Sequence, residues 1–399
     1  IKDPLDPDVG KYIFTMKLYR DCDGISLPTT NQTLNVWNHP TVTTISLQFI
    51  SNTDISPDCD VTNSGNPALD CFTNPVGAVE EYIYQSLPIA LIGAPPISNP
   101  PTPTTHGWHF TWDSCCRNGA IVNLTTPSSD GFTMRASMFA YVDPLGNSTP
   151  TDPCFDSSPI FNESPKTIIC TGYPFSYTHN ASDQEMDSLV YSWDEPLDDF
   201  FGAYNPPVTP GLLNYTPPYT ANNPLPGNPT LNPQNGQISY TSNLSGNFVT
   251  VVRVDAYKCD QLVAQIYREI QAVLIACPPL AGGNANLPPN IPAPFPAPTP
   301  YYTTVAAGTL VSFNISASDA DLYAAGVPQD VSLEITGGQM AGDFITTTDC
   351  VSPPCATFTD NLGNPPPFSS PSIVNGIFEW QTACTHIASD AGCGNVSNI

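Results

Sequence analysis

One stretch of this chain occurs twice, in the same order and with the same neighbours, and that duplication constrains the fold more than any other feature. Asn180 to Pro196 reads Asn-Ala-Ser-Asp-Gln-Glu-Met-Asp-Ser-Leu-Val-Tyr-Ser-Trp-Asp-Glu-Pro. From Ser316 the chain reads Ser-Ala-Ser-Asp-Ala-Asp-Leu and, after a short insertion, Asp-Val-Ser-Leu-Glu-Ile-Thr. Each copy follows an alternating run, 174–178 in one and 310–315 in the other. Each precedes an Asn-Gly element, at 235–240 and 375–380. Two matches in the same order at nearly equal spacing predict a duplicated domain. A repeat this long suits whole β domains in tandem, not a short-repeat solenoid.

The periodicity agrees. Residues 12–19, 33–37, 41–50, 80–87, 106–112, 132–142, 247–257 and 262–276 alternate or are rich in β-branched and aromatic residues, and turn signals such as Asp23-Gly24 separate them. No stretch carries helical periodicity. The expected fold is therefore all-β, a tandem array of Ig-like β-sandwich domains. The first unit is expected over 1–155 and the second over 156–279. A Pro-rich, extended linker follows at 280–300, and a third unit at 301–399 lacks its final strands. With 46 Pro, 26 Gly and 12% charged residues but 40% hydrophobic ones, the chain is turn-rich yet apolar enough to bury cores. It starts without Met and stops soon after the second Asn-Gly element, so it reads as a segment of a longer protein whose export signal lies upstream.

Charge and cysteines narrow the function. Ten basic against 36 acidic residues give a net charge of −26, which argues against nucleic acid and against an anionic membrane surface. No apolar run is long enough to span a membrane, so no direct insertion is expected. Thirteen Cys imply disulfides and an oxidising compartment. Short separations predict Cys59–Cys71, Cys350–Cys355 and Cys384–Cys393. Cys170–Cys277 would tie the first and last strands of the second unit, and the adjacent Cys115 and Cys116 are expected to take different partners. Cys-x2-Cys pairs are missing, which argues against zinc.

No catalytic residues are expected. The five His residues sit in unrelated contexts, and there is no Gly-x-Ser-x-Gly and no His-Glu-x-x-His. A glycosidase needs only two carboxylates, and Glu195, Asp198 and Asp199 are the first place to look for them. Trp108, Phe110 and Trp112 share one face of a strand. That face is either a platform on which sugars stack or the inside of a sandwich.

Several of these motifs together resemble a family. Phe-Thr-Met-Lys-Leu-Tyr-Arg-Asp-Cys-Asp-Gly at 14–24, Cys-Cys-Arg-Asn at 115–118, the acidic stretch at 180–192, Asn235-Gly236-Gln237-Ile238 and the closing strands at 252–255 and 268–270 are similar to the large secreted surface proteins of gliding Bacteroidota. The resemblance implies PKD-like or cadherin-like repeats, the units at 156–279 and 301–399, and export by the type IX system through a gliding-motility-associated sorting domain that is not seen in this stretch. It implies a non-catalytic extracellular segment of a bacterial surface adhesin or fibrous appendage. The alternative is an accessory carbohydrate-binding region of a secreted glycan-active or proteolytic enzyme. Expected partners are other copies of the chain, neighbouring domains of the longer protein, and surface glycans.

In cadherin-like domains, carboxylates from an Asp-rich turn and from a nearby strand converge on Ca2+. Here Asp183, Glu185 and Asp187 stand at alternate positions, so an extended strand directs them to one side, with Asp255 on the penultimate strand within reach. The third unit repeats this with Asp319 and Asp321, and with Asp330 after the insertion. Calcium is the expected cofactor. The competing reading is that these side chains cap a turn by accepting bonds from local backbone N–H groups.

Overall fold

The computed structural model describes residues 1, 5–56, 70–75, 77–142, 146, 148–149, 156–165, 168–185, 187–199, 202–276, 287–298, 301–323, 326–340, 350 and 353–386. Among them the chain is all-β and sandwich-like, built from antiparallel sheets, with one 3-10 turn at Cys384–His386. The first unit contributes six strands, β1 (Thr15–Asp21), β2 (Gln32–Trp37), β3 (Thr44–Asp54), β4 (Val79–Ser86), β5 (Trp108–Ser114) and β6 (Phe132–Met138). They lie in the order β1-β4-β3-β2-β5-β6. All six place side chains in one core, from Met16 and Leu18 on β1 to Met138 on β6. The sheet curls to achieve this. The Phe14 ring, just before β1, lies 4.7 Å from the Phe110 ring on β5, although three strands separate β1 from β5.

Trp108, Phe110 and Trp112 are interior to that curl, 1%, 6% and 7% exposed. The sugar-stacking reading of this row is thereby overturned, because a ring must offer an open face to stack on a sugar. The opposite face of β5 is covered too, with His109 packed 5.1 Å from the Tyr204 ring.

The sheet does not end at β6. Ala136, Ser137 and Met138 pair with Ile266, Gln265 and Ala264 of the strand Gln261–Ile275, and the order continues through Gly246–Lys258 to Ser188–Trp193. The units that the sequence divides at residue 155 thus share one sheet of ten strands. Charged side chains staple the join on its outer face. The Arg135 guanidinium lies 3.8 Å over the Tyr267 ring and 3.3 Å from Asp194, which also pairs with Arg253 at 3.0 Å. The second unit closes its sandwich with a three-stranded sheet, Pro174–Thr178, Gln237–Thr241 and Thr230–Leu231, whose Ile238 and Tyr240 pack against Val252, Val254 and Leu274. The long hairpin turns at Cys259 and Asp260, both at positive φ, as a two-residue turn between right-twisted strands requires.

The duplication is real in space. In the second unit Thr178 pairs with Gln237 and Phe175 with Tyr240; in the third, Asn314 pairs with Ile377 and Val311 with Trp380. These are the same partners once the two copies are aligned on their acidic stretches and their Asn-Gly elements. The Asn-Gly glycine is held by an aromatic ring in both. A Cβ on Gly236 would stand 2.5 Å from the Tyr191 ring, and one on Gly376 would overlap Phe358. Gly236 also has φ +69°. Gly236→Ala and Gly376→Ala are each expected to cost about 1–3 kcal/mol through overpacking, read from the midpoint of urea unfolding.

The cysteines partly follow expectation. Cys350–Cys355 forms. Cys71 bonds Cys22, not Cys59, with Cα atoms 5.1 Å apart: the Cys22 N–H donates to Ala78 O where β1 meets β4, which carries Cys22 to the loop that precedes β4. Cys115 and Cys116 bond each other, contrary to the expectation of separate partners. Cys384 is an exposed free thiol among the described residues, and its expected partner Cys393 lies outside them. Cys170 and Cys259 are both disulfide-bonded. Cys59, Cys277 and Cys393 lie outside the described residues.

Candidate functional site

The acidic stretch of the second unit is a turn, not the extended strand that alternation implied. It lies between the short strand Ala181–Ser182 and Ser188–Trp193. Asp183 Oδ1 accepts bonds from the N–H groups of Glu185 at 2.9 Å and Asp187 at 3.0 Å. The turn-capping reading therefore holds for one oxygen of Asp183. The other is buried without a partner.

Around this turn the fold gathers more charge than the sequence suggested. Asp156, in the connection that enters the second unit, is buried against it. Asp156, Asp183 and Asp187 are 3%, 6% and 8% exposed. Lys258, at the end of the long hairpin, donates to Asp187 Oδ1 at 2.8 Å. The N–H of Ser157, next to Asp156, donates to Glu185 Oε2 at 3.1 Å. Asp156 Oδ1, Asp183 Oδ2 and Asp187 Oδ2 are buried with no hydrogen-bond partner.

The electrostatics follow from this crowding. Burial, then the charges of Glu185 and Asp187, push the Asp183 carboxyl up to about 8. Burial, then Glu185, Asp183 and Asp187, hold the Asp156 carboxyl well above the usual carboxylate range. Burial opposes the charge on Lys258, but Asp187, Asp156 and Glu185 outweigh it and raise its pKa.

Asp255 does not join them, and the reason is the strand's period of two. On Gly246–Lys258, Asp255 shares a face with Arg253, while Lys258 points to the other. Arg253 Nε and Nη2 donate to the two Asp255 oxygens at 2.8 and 2.9 Å, and Gln265 Nε2 adds a third bond at 2.8 Å. Its carboxylate is thus fully committed to the outer face of the sheet.

The third unit uses its carboxylates differently. Asp319 Oδ1 accepts from the Asp321 N–H at 2.8 Å, repeating the cap of Asp183. Asp321 Oδ2 accepts from the Leu287 N–H at 2.6 Å and so holds the Pro-rich linker at Leu287. Asp330 is exposed, opposite Pro371 on the pair Asp330–Leu333 and Phe368–Pro371.

The remaining carboxylate candidates are divided. Asp198 Oδ1 accepts the Gly131 N–H at 2.5 Å and the Asp199 N–H at 2.9 Å, a structural role. Glu195 lines a separate cavity of about 390 Å³ with Leu213, Asn214, Tyr215 and Tyr219. Among the described residues, three ligand-type groups whose atoms all lie within 4.8 Å of one another are Cys22, Cys71 and Glu80. The first two are joined as a disulfide and offer no thiolate.

Sequence reasoning missed Asp156. It is a single acid beside Cys154 and Phe155 with no recurring partner, and only the fold brings it to the turn.

Neither a protein-family model nor a curated protein matches the chain. A solved structure described as the structural basis for Dscam isoform specificity aligns over 90% of this chain and 83% of its own, at 9% identity and a TM-score of 0.17. A score that low carries no argument about fold or function. No helix among the described residues is long and apolar enough to cross a membrane, which says nothing of β-barrels.

Proposed function

We propose that this chain is a non-catalytic extracellular segment of a bacterial surface adhesin or fibrous appendage. The observation that carries the reading is the duplicated module: two β units with one strand register, the second of them holding the Pro-rich linker at Leu287 through Asp321. Repetition of a rigid unit along a chain extends it in space, which suits a stalk or fibre and does nothing for a catalytic pocket. The disulfides Cys22–Cys71 and Cys350–Cys355 support an oxidising compartment, since such bonds do not persist in a reducing cytosol. A net charge of −26 keeps such a surface soluble and clear of anionic lipid. Export by the type IX route, and partners that are other copies, adjoining domains or surface glycans, belong to the same proposal.

Antibodies raised against residues 1–399 test it. They are expected to label intact source cells, and labelling that needs permeabilised cells would overturn the assignment. The accessory sugar-binding reading gains no support from the structure, since the aromatic row that motivated it is buried.

A further inference from the structure

We infer that the cavity between Glu195 and the crossover connection of the second unit binds a primary ammonium group carried on a short apolar stem. The inference goes beyond the structural role proposed above and stands without it. The connection between the strands Ser188–Trp193 and Thr230–Leu231 is far longer than a turn needs, and a connection of that length in a compact domain is usually functional or an ordered crossover. Here it is anchored on both sides of the cavity. The Leu213 N–H donates to Pro196 O at 3.2 Å, the Thr125 N–H to Asn214 O at 3.0 Å and the Thr216 N–H to Asn123 O at 2.9 Å. Asn123 is fully buried, and its Nδ2 donates to Pro224 O at 2.9 Å and to Val249 O at 2.8 Å, which fastens the crossover to the sheet. The walls of the cavity, about 390 Å³, are therefore fixed before a ligand arrives.

Those walls carry the parts of an ammonium site. Glu195 is the only charged residue among them, and among the described residues its carboxylate has neither an ion pair nor a hydrogen bond. The neighbouring acids are already committed, Asp194 to Arg135 and Arg253, and Glu269 to Arg117. The Tyr215 hydroxyl, on the same cavity, is buried with no partner. Burial and, next, the Glu195 charge raise the pKa of that hydroxyl. Burial, then Asp194, raises the Glu195 carboxyl, and a cation between the two groups opposes both shifts.

The chemistry of the lining selects the ligand. An ammonium donates three bonds and accepts none, so it serves the Glu195 carboxylate and the Tyr215 oxygen together. The Tyr219 ring, packed edge-on against Phe248 at 5.5 Å, adds an aromatic wall that attracts a cation. Leu212, Leu213 and Ala221 offer apolar surface to a stem of methylene groups. A neutral hydroxyl would leave the Glu195 charge uncompensated, and an anion would be repelled. The group can arrive on a small amine or on a lysine side chain of a partner protein.

The test titrates the whole 399-residue chain, at neutral pH and fixed ionic strength, with n-butylammonium chloride and separately with the blocked tripeptide acetyl-Gly-Lys-Gly-amide, read by saturation-transfer NMR. Saturable binding of n-butylammonium is expected, with n-butanol at least about tenfold weaker. Glu195→Gln keeps the shape and removes the charge, and is expected to weaken binding at least about tenfold. Tyr215→Phe is expected to weaken it about three- to tenfold and to leave the urea midpoint of the free chain unchanged, because the hydroxyl it removes has no partner. Glu334→Gln, an exposed acid of the third unit, is expected to leave binding unchanged, which separates the site from the general attraction of an acidic chain for cations. Tripeptide binding as tight as that of n-butylammonium assigns the site to a lysine side chain, and binding of n-butylammonium alone assigns it to a small amine; both uphold the ammonium reading. Three results would overturn it: no saturable binding of either probe, n-butanol binding as tightly as n-butylammonium, or binding that survives Glu195→Gln unchanged.

Discussion

Replacing Arg117 with Ala is expected to remove about 2–4 kcal/mol of stability, because it leaves two buried carbonyl oxygens without their donor and empties a buried site beside the exposed Glu269. Arg117 lies in the Cys-Cys-Arg-Asn motif, and its side chain is 3% exposed. Its Nε donates to Gly131 O at 2.6 Å and its Nη2 to Leu197 O at 2.9 Å. Both terminal nitrogens reach the Glu269 carboxylate, on the strand that continues the sheet from the first unit into the second. A single guanidinium thus satisfies two carbonyls and a carboxylate drawn from three separate segments. Arg117→Lys is expected to recover less than half of the loss, because an ammonium cannot serve these acceptors in a planar fork. Urea unfolding followed by tryptophan fluorescence measures both variants. A loss below about 1 kcal/mol for Arg117→Ala would show that the join does not depend on this residue.

The second large effect is a loss of stability in acid, centred on His179. This side chain is fully buried, and neither ring nitrogen has a hydrogen-bond partner. Burial, with Arg268 nearby, lowers its pKa from 6.5 to about 3. The unfolded chain takes up a proton below pH 6.5 that the folded chain refuses until about pH 3. The contribution of His179 is therefore intact above pH 6.5 and is lost progressively as pH falls toward 3, by on the order of 5 kcal/mol in full. His109, lowered to about 4 chiefly by burial, acts in the same sense. The raised carboxyls of Asp183 and Asp156 act in the opposite sense, so the informative quantity is the difference between the wild type and His179→Leu. Removing a buried polar group that has no partner costs little at pH 7. His179→Leu is expected to match the wild type there and to exceed its stability increasingly from pH 6 to pH 4. Parallel curves over that range would show that His179 takes up its proton without unfolding.

Most strands were legible because alternation is local. The row 108–112 and the long hairpin fall within a residue or two of their expected places, since side chains on a strand declare their two faces in sequence. What lay beyond reach was non-local. Nothing at Met138 announces that it will pair with Ala264, and nothing at Cys22 distinguishes Cys71 from the nearer Cys59 as a partner. The candidate site divides along the same line. Asp183 and Asp187 were visible because the turn repeats, whereas Asp156 was not, because its role exists only once the connection folds back. Asp255 misled for a related reason. Proximity along a sheet was inferred without its face, and one residue of phase placed it beside Arg253.

The shared sheet also sets an order of events during synthesis. The edge of β6 stays unpaired until the strand Gln261–Ile275 has emerged, far downstream of Met138, so the amino-terminal half cannot reach its final state by itself. Closing a loop of that length is slow compared with forming hairpins. In the interval an open strand edge is exposed that invites pairing with other chains. A chain threaded through a secretion pore from its amino terminus would meet this hazard on every passage. Under the proposed extracellular reading, protection of that edge until the hairpin arrives becomes a condition of export.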